Sequence, residues 1–132
     1  MKICLDALKK INKNILRILA NLLFQRIPEY KKKYELENNA IDFTDGVYLF
    51  MNEFASFLCN EIEKDPTSDV VDKSFIFINE VGESHNLEII NVVKIGILEV
   101  LYTSKGIDRK LVSDFLNPRL KIYFQEFSKH YH

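Results

Sequence analysis

Turn-forming residues are scarce in this chain, which has only four glycines and three prolines among 132 residues. All-β folds need frequent tight turns, so the scarcity excludes most sandwiches and barrels and points to helices. Cysteine is scarce as well. Cys4 and Cys59 match neither a zinc-ligand nor a redox spacing, and both read as free, buried or half-buried thiols. No uncharged apolar run approaches the roughly 18 residues of a membrane span. The opening decapeptide, MKICLDALKK, carries a charge every few residues and lacks the apolar core and small-residue cleavage site of a secretion signal. A cytoplasmic location is the expectation. Catalytic signatures are missing too: no H-E-x-x-H, Walker A, G-x-S-x-G or EF-hand pattern occurs.

What is present is a globular composition, 47% hydrophobic and 28% charged, in a chain of ordinary single-domain length. Apolar residues recur at helical spacing through most of it. Leu8, Ile11, Ile15, Ile18, Leu19 and Leu22 predict a first helix over roughly 4–26. Pro28 ends that helix and suits the first turn of a short second one, PEYKKKYEL. ENNAIDFTDG reads as a loop. Val47, Phe50, Met51, Phe54, Phe57, Leu58 and Ile62 give one face of a helix over 47–64. KDPTSD breaks the pattern and offers Thr67, Ser68 or Asp69 as an N-cap. A fourth helix follows over 69–83. FIFI alone would suit a strand, but its flanks carry no hairpin turn. Asn86 caps a fifth helix over 87–103, Asp108 a short one to about Phe115, and Asn117-Pro118 opens the last. The expectation is therefore an all-α single domain over 1–132. It has about seven helices, arranged as an antiparallel bundle or short helical stack.

The fifth helix, within HNLEIINVVKIGILEVL, is apolar nearly all the way round, which predicts burial on several sides. Gly96 weakens a helix and so marks a close neighbour. Glu88 and Glu99 lie inside this run, eleven residues apart. At α-helical rise they are about 16 Å apart along the axis, beyond the roughly 5–9.5 Å of a working carboxylate pair. Glu88 in a first turn is favoured by the helix dipole, and Glu99 is expected to meet a lysine, a tyrosine or water. His85 falls in a loop, and adjacency to Ser84 does not make a triad. His130 and His132 on a chain end make a poor metal site. The reading assigns no catalytic residue, no metal ligand and no cofactor, and the chain is not expected to be an enzyme.

Charge carries more information. Residues 1–33 have a net charge of +7, residues 34–99 of −11 and residues 100–132 of +3. A near-neutral total thus hides a segregated chain. The blocks either neutralise one another on folding or build a field that steers a charged macromolecule. On the fourth helix, Asp72, Ile76, Asn79 and Glu83 follow at i, i+4, i+7 and i+11, with Glu80 beside them. This stripe surrounds an apolar residue with acids, the pattern of an interface anchor for a basic partner. Glu53 and Glu63, on the polar face of helix 47–64, extend the candidate surface. Lys9, Lys10, Lys13 and Arg17 on the first helix supply the alternative, a nucleic-acid-binding or regulatory helical domain. Phe24 is the lone aromatic in that helix and the pI is near 6.3, which weighs against nucleic acid. The apolar face of that helix is needed for the core, not for a membrane.

Two passages carry a family likeness, RIPEYKKKYEL and FIFINEVGESHNLEIINVVKIGILEVL. Across roughly residues 26–102 the chain resembles small all-helical immunity proteins of contact-dependent growth inhibition and related polymorphic toxin systems. The resemblance implies an all-helical inhibitor whose partner is a cognate protein toxin. Such a toxin is often a nuclease, with an RNase favoured here, and the inhibitor would occlude its basic cleft with an acidic surface. It implies no catalytic residue and no cofactor.

Overall fold

A computed structural model describes residues 5–38 and 46–131, with side chains described from Asn14 onward apart from that of Asn38. Cys4, His132, most of the ENNAIDFTDG loop and the side chains of Leu8, Lys9, Lys10, Ile11 and Lys13 lie outside this description. Every regular element among the described residues is helical. They are α1 (Leu5–Arg26), α2 (Pro28–Asn38), α3 (Val47–Lys64), α4 (Asp69–Gly82), the α5 rod (Leu87–Thr103), α6 (Arg109–Phe115) and α7 (Pro118–Glu126), followed by a short 3-10 helix (Phe127–Lys129). The fold is all-α, as the periodicity predicts.

The breaks are set by local chemistry. Ser68 Oγ accepts from the Val71 N–H at 3.2 Å and starts α4. Asn86 Oδ1 accepts from Glu88 and Ile89 at the start of α5. Asp108 does the same for Lys110 and Leu111, and Asn117 for Leu120 ahead of Pro118. Each cap satisfies N–H groups that a helix start leaves without intrahelical partners. FIFI is helical, because Phe75, Phe77 and Ile78 all reach the core from one helix face.

Short connections reverse the chain between α3 and α4 and again between α4 and α5. Two reversals leave α3 and α5 parallel, and their contact is the broadest between any two helices. Gly96 is where they come closest: a Cβ there would lie 3.0 Å from Met51 Cβ. Further along, the Cys59 thiol donates to Ser104 Oγ at 3.3 Å. Cys59 is a buried free thiol, and burial pushes its pKa up. A second close approach lies at Gly82, where a Cβ would meet the Leu120 side chain at 2.6 Å and hold α7 off α4. Aromatic rings fill the other side of α3. Tyr30 of α2 lies 5.4 Å from Phe54 and 5.1 Å from Phe57, and Phe24 of α1 lies 5.7 Å from Phe50. Phe54 in turn meets Phe77 of α4 edge-on at 5.8 Å.

Two local expectations are corrected. Ile18 points to solvent, 64% exposed. The buried face of α1 runs through Ile15, Leu16, Leu19, Ala20, Leu23, Phe24 and Ile27, and at 100° per residue Ile18 sits about 150° from its centre. The α5 rod is not uniform: Val92–Leu98 is a π-helical stretch, and the Glu99 N–H bonds back to the Lys94 carbonyl. The wider turn rotates later side chains backward relative to an unbroken α-helix. Eleven residues, three turns of an unbroken α-helix, therefore no longer make whole turns, so Glu88 and Glu99 do not face the same way. The rod is buried on several sides, through Ile90, Val92, Val93, Ile97, Leu98 and Leu101, while Leu87 and Ile95 face outward.

Gly96→Val is expected to lower folding stability by about 1–3 kcal/mol through overpacking against Met51. Ile95→Ala next door is expected to change it by less than about 0.5 kcal/mol. Urea denaturation of the two variants checks the difference.

Candidate functional site

The outer face of α4 starts at a well-ordered cap. Asp65 accepts from both the N–H and the hydroxyl of Thr67, which holds its carboxyl below the usual range. Ser68 then caps the helix, and Asp69 and Asp72 sit in the first turn, where the dipole favours acids. Asp72 is exposed, and Ile76, one turn on, is 47% exposed. Beside them Phe115 of α6 stacks on Phe75 at 4.6 Å, with the rings 6° from parallel. A shallow recess of about 340 Å³ runs between Phe115, Asp72 and the cap residues.

The remaining stripe residues have partners within the fold. Asn79 donates from Nδ2 to the Phe115 carbonyl at 2.9 Å and accepts from the Asn117 N–H at 3.0 Å. Asn117 Nδ2 in turn donates to the Asn79 carbonyl and to Glu83 Oε1. Asn79 and Glu83 therefore fasten the α6–α7 junction onto α4. Arg119 adds to the same joint by donating to the Gly82 and Ser84 carbonyls. On the other edge, Glu80 pairs with Arg26 of α1 at 2.9 Å, both side chains being more than 40% exposed. Lys73 bridges Glu29 of α2 and Asp69, at 2.9 and 3.3 Å. The hydrogen bond to Glu29 raises the Lys73 pKa. This pairing supports the fold below the ordinary lysine range and fades as pH climbs through the raised value.

The stripe thus has a free middle and two working edges. Glu53 and Glu63 are both exposed on α3, but the neighbours that place them belong to other elements. Glu53 stands near Tyr30, whose hydroxyl is buried without a partner among the described residues; burial first, and Glu53 second, push the Tyr30 pKa far up. Glu63 Oε1 lies against Gly106 in the turn after α5. Of the other acids, Glu99 accepts from the Tyr131 hydroxyl at 2.9 Å, the tyrosine partner foreseen for it, and Glu88 lies beside its Asn86 cap. Arg17 is exposed on α1. No group of three or more His, Cys, Asp or Glu side chains is arranged to hold a metal ion among the described residues. No helix among them is long and apolar enough to cross a membrane.

Sequence reading missed Arg26, Lys73, Phe115 and the second role of Asn117. The capping signal of Asn117 was visible, but nothing local marks its link to Asn79, 38 residues earlier.

Residues 20–132 match a family described as a domain of unknown function, DUF7674, and the chain belongs to that family. No curated protein and no solved structure matches it. The matched span holds the whole of α4 and excludes Lys9, Lys10, Lys13 and Arg17.

Asn79→Ala is expected to cost about 1–3 kcal/mol, because it strips partners from a carbonyl and an N–H at a half-buried joint. A double-mutant cycle on Arg26 and Glu80 is expected to give a coupling below about 1 kcal/mol, since both groups are exposed. Chemical denaturation of the five proteins measures both.

Proposed function

We propose that this domain is a protein-binding module that docks a basic partner on the outer face of α4. The observation that carries the reading is Ile76, half exposed between Asp72 and the carboxylates of Glu80 and Glu83. An apolar anchor in a charged surround matches the division of labour at interfaces. The centre contributes burial, and the rim contributes orientation and encounter rate. Ile76 is held on a helix fastened at both edges, so little order must be gained when a partner arrives. The recess beside Phe115 and Asp72 offers an adjoining hollow for a partner side chain.

Charge gives the partner's sign. Asp69, Asp72, Glu80 and Glu83 on α4 outweigh Lys73 and the paired Arg26. A nuclease presents a basic cleft to its substrate, and an acidic inhibitor blocks it by taking the place of the nucleic acid. The resemblance to immunity proteins of contact-dependent growth inhibition fits this picture. In the resulting reading the domain neutralises a cognate toxin, an RNase by preference, in the cytoplasm of the cell that makes it. The domain then needs only its stability and its surface. Glu53 and Glu63 on α3 are assigned a peripheral part in that interface.

The test is co-expression with the product of the adjoining gene, followed by affinity capture and an activity assay on the captured protein. Asp72→Lys combined with Ile76→Glu is expected to weaken capture at least tenfold and to slow association at low salt, with melting temperature nearly unchanged. Wild-type affinity in this variant would remove α4 from the interface.

A further inference from the structure

Arg109 opens α6 and does not point away into solvent. Its guanidinium lies 3.9 Å over the Tyr102 ring, and its Nε–H donates to the Tyr102 carbonyl at 2.9 Å. That carbonyl belongs to the last turn of α5, where helix geometry leaves oxygens without partners. The arginine is thus held by its face and by one edge. Its two terminal NH₂ groups make no hydrogen bond or ion pair among the described residues. A guanidinium held in this way presents a ready fork for a carboxylate or phosphate.

The fork borders a recess of about 330 Å³ between α6 and α7, within the size range of small-molecule sites. Its floor is Tyr102 and Phe124, which meet edge-on at 5.2 Å and are themselves buried, 6% and 2% exposed. Lys110 stands next to Arg109, and Ser113 and Ser128 also line the recess. Asp114 also lines the recess and opposes an anion, which leaves the lining with a formal charge of +1. No stripe residue of the α4 face takes part.

We infer that the recess between α6 and α7 binds a small oxyanion. Arg109 and Lys110 hold the anion, and Ser113 and Ser128 of the lining donate to it. The arginine's contact with Tyr102 sets the fork before the ligand arrives, so ordering it costs little on binding.

Inorganic phosphate, phenyl phosphate and benzoate are the probes, titrated at constant ionic strength against ¹⁵N-labelled protein. The Arg109 Nε–H is held by the Tyr102 carbonyl and reports the site directly. Saturable shifts are expected there and at Lys110 and Ser113. Phenyl phosphate is expected to bind within about threefold of inorganic phosphate, because the buried rings of the floor offer little apolar contact. Benzoate saturating the same signals extends the ligand class to carboxylates. Lys110→Gln keeps Arg109 in place and is expected to weaken phenyl phosphate by threefold or more, with the melting temperature unchanged. The inference is overturned by non-saturable shifts with both phosphates or by wild-type affinity in Lys110→Gln. None of these outcomes bears on partner capture by α4, so the two proposals fail separately.

Discussion

The close approach of α5 to α3 at Gly96 is the constraint on which the other contacts depend. Two short reversals make helices joined through a third run parallel. They can pack this tightly only if one of them lacks a side chain at the crossing. With Gly96 against Met51, α3 and α5 form the centre of the fold. α4 then has its inner face fixed by Phe75, Phe77 and Ile78 and its outer face left over. The aromatic rings of α1 and α2 cover one side of α3, and α7 meets α4 where Gly82 admits Leu120. The π-helical stretch lies across the same crossing and turns the end of α5 so that Glu99 meets Tyr131.

Folding reunites charges that the chain keeps apart. Arg26 and Glu80 lie 54 residues apart, one in the basic first third and the other in the acidic middle, yet they pair directly. Lys73 reaches back from the acidic block to Glu29. Part of the segregation is therefore spent on holding α1 and α2 against α4. Exposed pairs of this kind add little stability, but they fix which acids stay open to solvent. Asp72 and Ile76 keep the middle of the α4 face, while Asn79 and Glu83 belong to the joint with α6 and α7.

Much of this architecture was legible along the chain. Period and punctuation located each helix to within a few residues, because N-caps act on neighbouring N–H groups and a proline acts on its own backbone. Gly96 announced a close neighbour for the same local reason, since a glycine inside a helix costs stability unless something needs the space. The candidate face was legible as a pattern, since i, i+4, i+7 and i+11 share one side of any helix. Its division into free and engaged residues was not. Asn79 looks the same in the sequence whether its amide meets water or the Phe115 carbonyl.

The sequence by itself determined the fold class, the helix starts and the identity of the acidic, Ile76-centred stripe, because each rests on interactions within a few residues. Tertiary structure alone decided that Ile18 faces solvent and that α5 widens into a π turn. It also decided that α3 and α5 run parallel, and that Arg26 and Asn117 claim Glu80 and Glu83. Those outcomes depend on which surfaces meet across tens of residues of chain. Close packing and pairwise electrostatics act through space, and their range bears no relation to separation along the backbone.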